Sequence, residues 1–150
     1  MRIFVALIAV FLANMAIADL QFPQLDADDL NGRSVSLPQD LPGDPTIVFI
    51  AYKRNQQPSI NAWVARLGLQ ERGGAAWAEL PVVGRGAALF RNFIDNGMRS
   101  GITSTAMRGR TITIYSNQRA FKGALGIDGR DQIYTALVGR GGQVHVLIKG

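Results

Sequence analysis

The sequence predicts an α/β domain whose sheet is parallel at its centre and antiparallel at both ends. Three observations predict it. Thr46–Tyr52 is apolar on both faces, the pattern of a central strand covered from two sides. Segments of helical spacing separate the strand-like runs through the middle of the chain, as in parallel crossover units. Asn31-Gly32 near the start and Gly139-Arg140-Gly141-Gly142 near the end each join two strand-like runs, which reads as a hairpin at either end.

Taken in order, Leu20–Pro23 leads into two short strands that meet at Asn31-Gly32, where a type I′ turn with positive φ at both residues is expected. Pro42-Gly43-Asp44-Pro45 is a turn that launches the strand Thr46–Tyr52. Lys53–Pro58 is a polar loop, and a helix follows from Ser59 with Ile60, Trp63, Val64 and Leu67 on one face. Gly68 and Gly73-Gly74 end it, and Ala78–Val83 is the next strand. Ala87–Met98 is a second helix, with Phe90, Ile94 and Met98 on its apolar face beside Leu89 and Phe93, and Arg91, Asp95 and Arg99 spaced for i, i+4 pairing on its outer face. Arg110–Tyr115 alternates and is rich in β-branched residues, so it is a strand. Asn117 caps a helix that runs to Leu125 and stops at the left-handed Gly126. Ile133–Val138 and Gln143–Ile148 form the closing hairpin.

The chain has 150 residues, 47% apolar and 18% charged, which fits one domain with its own core. Residues 1–18 stand apart. Arg2 precedes an apolar run from Ile3 to Ala13, and Ala16-Ile17-Ala18 has the small-x-small form of a signal peptidase site. The expectation is a signal peptide over 1–18, cleavage before Asp19, and a domain over 19–150 that works in the periplasm or as a secreted protein. The apolar run is shorter than the roughly 20 residues of a bilayer span.

There is no cysteine. Disulfides, thiolate nucleophiles and cysteine metal sites are therefore excluded. His145 is the only histidine and alternates with Val144 and Val146, which places it on the solvent side of a strand. No Gly-x-Ser-x-Gly elbow supports a triad on Ser36 or Ser59, and Asp26, Asp28 and Asp29 lack the spacing of a calcium loop. Gly84-Arg85-Gly86 and Gly139–Gly142 complete neither the dinucleotide nor the P-loop pattern. No metal or other cofactor is expected.

The net charge is +5, unevenly spread. Residues 19–50 hold six Asp against Arg33 alone, whereas residues 51–125 hold eleven Lys or Arg against Glu71, Glu79 and Asp95. Such asymmetry attracts anionic partners or simply solvates one face. Basic residues do not interleave with aromatics, so nucleic acid is not expected. The sharpest candidate is Lys53-Arg54-Asn55-Gln56, just ahead of a helix start, where backbone N–H groups and the helix dipole reinforce the two cations for an anion or carboxylate. Arg85, Arg91, Arg99, Arg108 and Arg110 are candidates to extend that surface, and a hydrated loop is the plain alternative.

Leu30-Asn31-Gly32-Arg33-Ser34-Val35-Ser36-Leu37-Pro38, the turn at Pro42-Gly43, the strand Ile47–Ala51, Phe121–Ile127 and the hairpin Ile133–Ile148 together resemble the thioredoxin-like fold in its peroxiredoxin or extracytoplasmic variety. The resemblance spans nearly all of residues 19–150 and implies a three-layer sandwich with a mixed central sheet. Through Phe93-Ile94-x-x-x-Met98-Arg99, Thr111–Tyr115 and Phe121-x-x-x-Leu125-Gly126-Ile127, the chain is most similar to small relatives of the mitochondrial ATP synthase assembly factor family. That likeness implies help in assembling a membrane complex. Redox members of the fold need a cysteine after the strand that here ends at Tyr52, and a cis proline before the penultimate strand. This sequence has Lys53–Pro58 and Asp131-Gln132-Ile133-Tyr134 there. Many such domains also continue into a covering helix, whereas this sequence stops at Gly150, so a sheet face open to a protein partner or a second copy is expected. Two functions stay open: an exported non-redox binding or assembly module, or a thiol-independent enzyme or small-molecule and anion binder.

Overall fold

A computed structural model describes residues 20–150. The expected signal peptide and its cleavage site at Asp19 lie outside them. Seven strands form one mixed sheet in the order β2-β1-β5-β4-β3-β6-β7. They are β1 (Leu25–Asp29), β2 (Ser34–Leu37), β3 (Thr46–Ala51), β4 (Trp77–Gly84), β5 (Ile112–Ser116), β6 (Tyr134–Val138) and β7 (Val144–Lys149). The helices are α1 (Gln57–Arg66), α2 (Arg91–Gly101), α3 (Thr105–Arg110) and α4 (Gln118–Leu125). As the apolar run at 46–52 predicts, β3 is central: it pairs parallel with β4 and antiparallel with β6. β5 extends the parallel set beside β4, and β1 pairs antiparallel with β5.

Alternation along the strands builds two cores. Val48, Ile50, Leu80, Val82, Ile112 and Ile114 face α4, whose Phe121 and Leu125 close that side. Phe22 meets Phe121 edge to face at 5.8 Å. On the other side Phe49, Ala51 and Trp77 receive Ile60 and Val64 of α1. Thr113 and Tyr115, which alternate with Ile112 and Ile114, carry α2 on this same side. The result is three layers, with α4 on one face and α1, α2 and α3 on the other. Burial of this kind is worth about 25 cal/mol per Å² of apolar surface, so in a chain without disulfides these two clusters supply the main stabilisation.

Several local expectations are corrected. The first hairpin is a three-residue loop, not a type I′ turn. Asp29 O accepts from Gly32 N (3.0 Å) and Asp29 N donates to Arg33 O (2.9 Å). Only Gly32 has positive φ, at 82°, because the Asp29 carboxylate accepts from the Asn31 and Arg33 N–H groups and holds Asn31 on the ordinary side of φ. The polar loop at 53–58 is a 3₁₀ turn over Arg54–Gln56 running straight into α1, which therefore starts before Ser59. Pro58 sits in the first turn of α1, where a missing N–H is harmless. The second helix begins only at Arg91, after a 3₁₀ stretch over Arg85–Phe90. α3 takes Arg110 out of the strand predicted for it and is held at its start by Ser104 Oγ, which accepts from Met107 N.

α4 and its ends are as the sequence predicts. Asn117 Oδ1 accepts from the Arg119 and Ala120 N–H groups, and Gly126 has φ 65°. The closing hairpin forms too, with a bulge that inserts His145 between the pairs Leu137↔Val146 and Val138↔Val144. Beyond the bulge Val146 and Ile148 turn away from α4 and stay 39% and 45% exposed at the sheet edge.

Candidate binding surface at the carboxyl edge of the sheet

Because β3, β4 and β5 run parallel, Tyr52-Lys53, Gly84-Arg85 and Ser116-Asn117 emerge along one edge. In open α/β sheets the crevice outside such strand ends is where ligands bind. The first feature there is a latch. Gln56 is buried; its Oε1 accepts from Tyr52 N (2.8 Å) and Lys53 N (3.1 Å), and its Nε2 donates to Arg130 O (2.7 Å). Lys53 Nζ pairs with Asp131 Oδ1 at 2.6 Å. That contact holds the Asp131 carboxyl below its ordinary range, first through the hydrogen bond and then through the charge. A polar cleft of about 420 Å³ opens beside the latch, bordered by Asn55, Ser59 and Gln132.

This geometry divides the four loop residues predicted as an anion site. The Tyr52 and Lys53 N–H groups are already taken by Gln56, and Lys53 has an acid partner. Arg54 and Asn55 are exposed and make no side-chain hydrogen bond or ion pair with another described residue. Among the outlying arginines, Arg85 stands exposed at the end of β4, on the same edge. Arg91 starts α2 with its guanidinium 4.6 Å from the Tyr115 ring centroid and 3.6 Å from Asp28 Oδ2. Arg99, Arg108 and Arg110 lie towards the opposite edge. Arg99 Nε donates to Leu30 O (2.7 Å), Arg108 to Ile102 O and Arg99 O (2.6 and 2.8 Å), and Arg110 to Trp77 O (3.2 Å). The nine residues do not form one surface.

α2 is rotated relative to its predicted packing: Ile94 and Met98 are half-buried as expected, with Met98 against Thr113 of β5, but the residues beside them change places. Asp95, expected outside, is buried and accepts from the Tyr115 hydroxyl at 2.7 Å. Leu89, Phe90 and Phe93, expected inside, are 90%, 65% and 82% exposed. Leu89 and Phe90 close the 3₁₀ stretch that follows β4 and Phe93 lies in the first turn of α2, at the carboxyl edge. No residue-type pattern in the sequence distinguishes this arrangement, since both sides of the segment carry helical spacing.

Glu79 is a buried acid that sequence reasoning missed. It is buried in β4, paired in register with Phe49 and bridged to Thr111. Gln57 Nε2, in the first turn of α1, lies 3.3 Å from each of its oxygens. Burial raises its carboxyl pKa, and the Gln57 hydrogen bond offsets this in part. Its only signal in the sequence is an acid inside an otherwise apolar strand. The described residues contain no group of three or more His, Cys, Asp or Glu placed to hold a metal ion.

This arrangement of sheet and helices is shared with solved structures. BsSco, a member of the Sco family of cytochrome c oxidase assembly proteins, matches with a TM-score of 0.56 over 87% of this chain and 83% of its own, at 11% identity. The pneumococcal exposed lipoprotein thioredoxin of Streptococcus pneumoniae matches at 0.52 over 85% and 90%, with 12% identity. The fold is thioredoxin-like. The thioredoxin domain of a thiol-disulfide oxidoreductase from Bacteroides vulgatus matches at 0.52 over 91% of both chains, with 16% identity. No protein-family model and no curated protein matches the chain. In this thioredoxin-like domain the segment after β3 is Lys53–Gln57, with no cysteine anywhere in the chain. No described helix is long and apolar enough to cross a membrane.

Proposed function

We propose that this chain is an exported, non-redox thioredoxin-like module that binds a protein partner and assists assembly of a membrane complex. The observation that carries the reading is the exposed apolar trio Leu89, Phe90 and Phe93 on the carboxyl edge, with Arg85 and Arg54, which pair with no acid among the described residues, on that edge. Large apolar side chains clustered on a surface and rimmed by charge are the anatomy of an interaction site. The partner of matching chemistry is a polypeptide with an apolar groove bordered by Asp or Glu. Two likenesses support the assembly role: BsSco belongs to a family of cytochrome c oxidase assembly proteins, and the segments at 93–99, 111–115 and 121–127 resemble the ATP synthase assembly factor family. The Ala16-Ile17-Ala18 motif supports export.

A photo-crosslinking residue placed at Phe93 in intact cells tests this, with Edman sequencing of the recovered chain. The expected result is one discrete adduct that co-fractionates with a membrane complex, lost on Leu89→Ser with Phe90→Ser, on a chain that begins at Asp19. Adducts to lipid alone, or an adduct indifferent to those substitutions, would sink the docking role. A chain that still begins at Met1 would sink export.

A further inference from the structure

We infer a second binding site, at the opposite edge of the sheet, for a carboxylate carried on an apolar body. A cleft of about 390 Å³ opens there between the 69–74 loop, the start of β4 and α3. That volume is at the small end of the roughly 300–1,000 Å³ range of ligand pockets. Trp77 lines it, is only 1% exposed, and its Nε1–H finds no acceptor among the described residues. A buried donor without a partner carries a desolvation penalty, which an incoming acceptor relieves.

Arg110 supplies the charge. Its guanidinium lies 5.3 Å from the Trp77 ring centroid, and one nitrogen donates to Trp77 O. Its Nε and second terminal nitrogen make no hydrogen bond with the described residues, so they are free to fork onto a carboxylate. Leu69, which is buried, and Met107 give the cleft an apolar wall. Glu71 also borders the cleft and lies against Gly68, so it opposes an anion and sets a ceiling on affinity. Nε1 is closed to water. The proposed binding therefore includes a shift of the Arg110 side chain, which stacks on the indole, to bring the ligand oxygen to this donor. The site is independent of the Phe93 surface.

The test follows the two indole N–H resonances, Trp63 and Trp77, of ¹⁵N-labelled protein during titration. Hexanoate and N-acetyl-alanyl-leucine are the probes, which separates a free acid from a peptide chain end, and hexanamide is the neutral control. The expected result is a saturable shift of the Trp77 indole proton with at least one acid, a still Trp63, and affinity weakened about tenfold or more by the amide or by Arg110→Met. Should Arg110→Met not fold, Glu71→Gln replaces it, with tighter acid binding expected. No Trp77 shift with either acid, equal binding of hexanamide, unchanged affinity in folded Arg110→Met, or acid binding not tightened by Glu71→Gln would each overturn the site.

Discussion

The side-chain nitrogen of Gln56 donates to the main-chain oxygen of Arg130 at 2.7 Å, tying the start of α1 to the loop that leads into β6. The same side chain satisfies the Tyr52 and Lys53 N–H groups at the end of β3. Removing it breaks three partly buried hydrogen bonds, each worth about 0.5–1.5 kcal/mol net. Gln56→Ala is therefore expected to lower stability by about 2–3 kcal/mol in urea unfolding. Lys53→Ala breaks only a solvent-exposed ion pair and is expected to leave the midpoint unchanged.

Glu79 gives a pH dependence whose sign follows from burial. The folded chain holds the Glu79 proton more tightly than the unfolded chain, whose carboxyl titrates near 4.5. Raising the pH past that value deprotonates, and so charges, the unfolded state first, so this group's contribution falls as pH climbs to the raised folded pKa and then levels off. Glu79→Gln keeps a neutral partner for Gln57 and removes this loss. Asp128 and Asp131 are shifted down and act with the opposite sign, so the test is the difference between the two proteins. Urea unfolding at about pH 4 and about pH 8 is expected to show Glu79→Gln gaining on the parent at the higher pH. A difference that does not change with pH would count against a shifted Glu79.

Asp95 and Tyr115 hold α2 on the sheet by a contact of 2.7 Å between hydroxyl and carboxylate. Burial, and then this hydrogen bond to an anion, raise the pKa of Tyr115. Tyr115→Phe leaves the buried Asp95 carboxylate without that donor and is expected to cost about 1.5–3 kcal/mol. Hydrogen exchange should show the loss concentrated in α2 rather than spread over the sheet.

The parts of the fold legible in the sequence were those fixed by local rules. Thr46–Ala51 reads as a central strand because every residue is apolar or β-branched, and α4 reads cleanly because Asn117 and Gly126 mark its ends. The order of such elements resembles that of the thioredoxin-like fold, and the structural matches bear the resemblance out. α3 was not legible, being six residues long between glycine and strand, with no room for a helical period. Nor was the orientation of α2 legible. Arg91, Asp95 and Arg99 find Asp28, Tyr115 and the Leu30 carbonyl only in three dimensions, and those partners rotate the helix so that Asp95 is buried beside Ile94 and Met98 while Phe93 faces solvent. The same holds for the site: Lys53–Gln56 was visible as a basic loop, but Gln56 as a latch, Glu79 as a buried acid and Phe93 as a surface residue depend on neighbours distant in sequence.

The rotation of α2 makes a prediction in which two phenylalanines behave oppositely. Phe121 is buried against Phe22 in the core under α4, and Phe121→Ala is expected to cost about 3–5 kcal/mol. Phe93 is 82% exposed and has little apolar contact to lose. Phe93→Ser is therefore expected to change stability by less than about 0.5 kcal/mol, the usual range for a surface substitution. It also removes apolar surface from solvent, so solubility should rise while the unfolding midpoint stays in place. Were Phe93→Ser to destabilise like Phe121→Ala, the side chain would be a core residue. α2 would then pack with Phe93 inward, and the binding surface proposed at the carboxyl edge would lose its apolar centre.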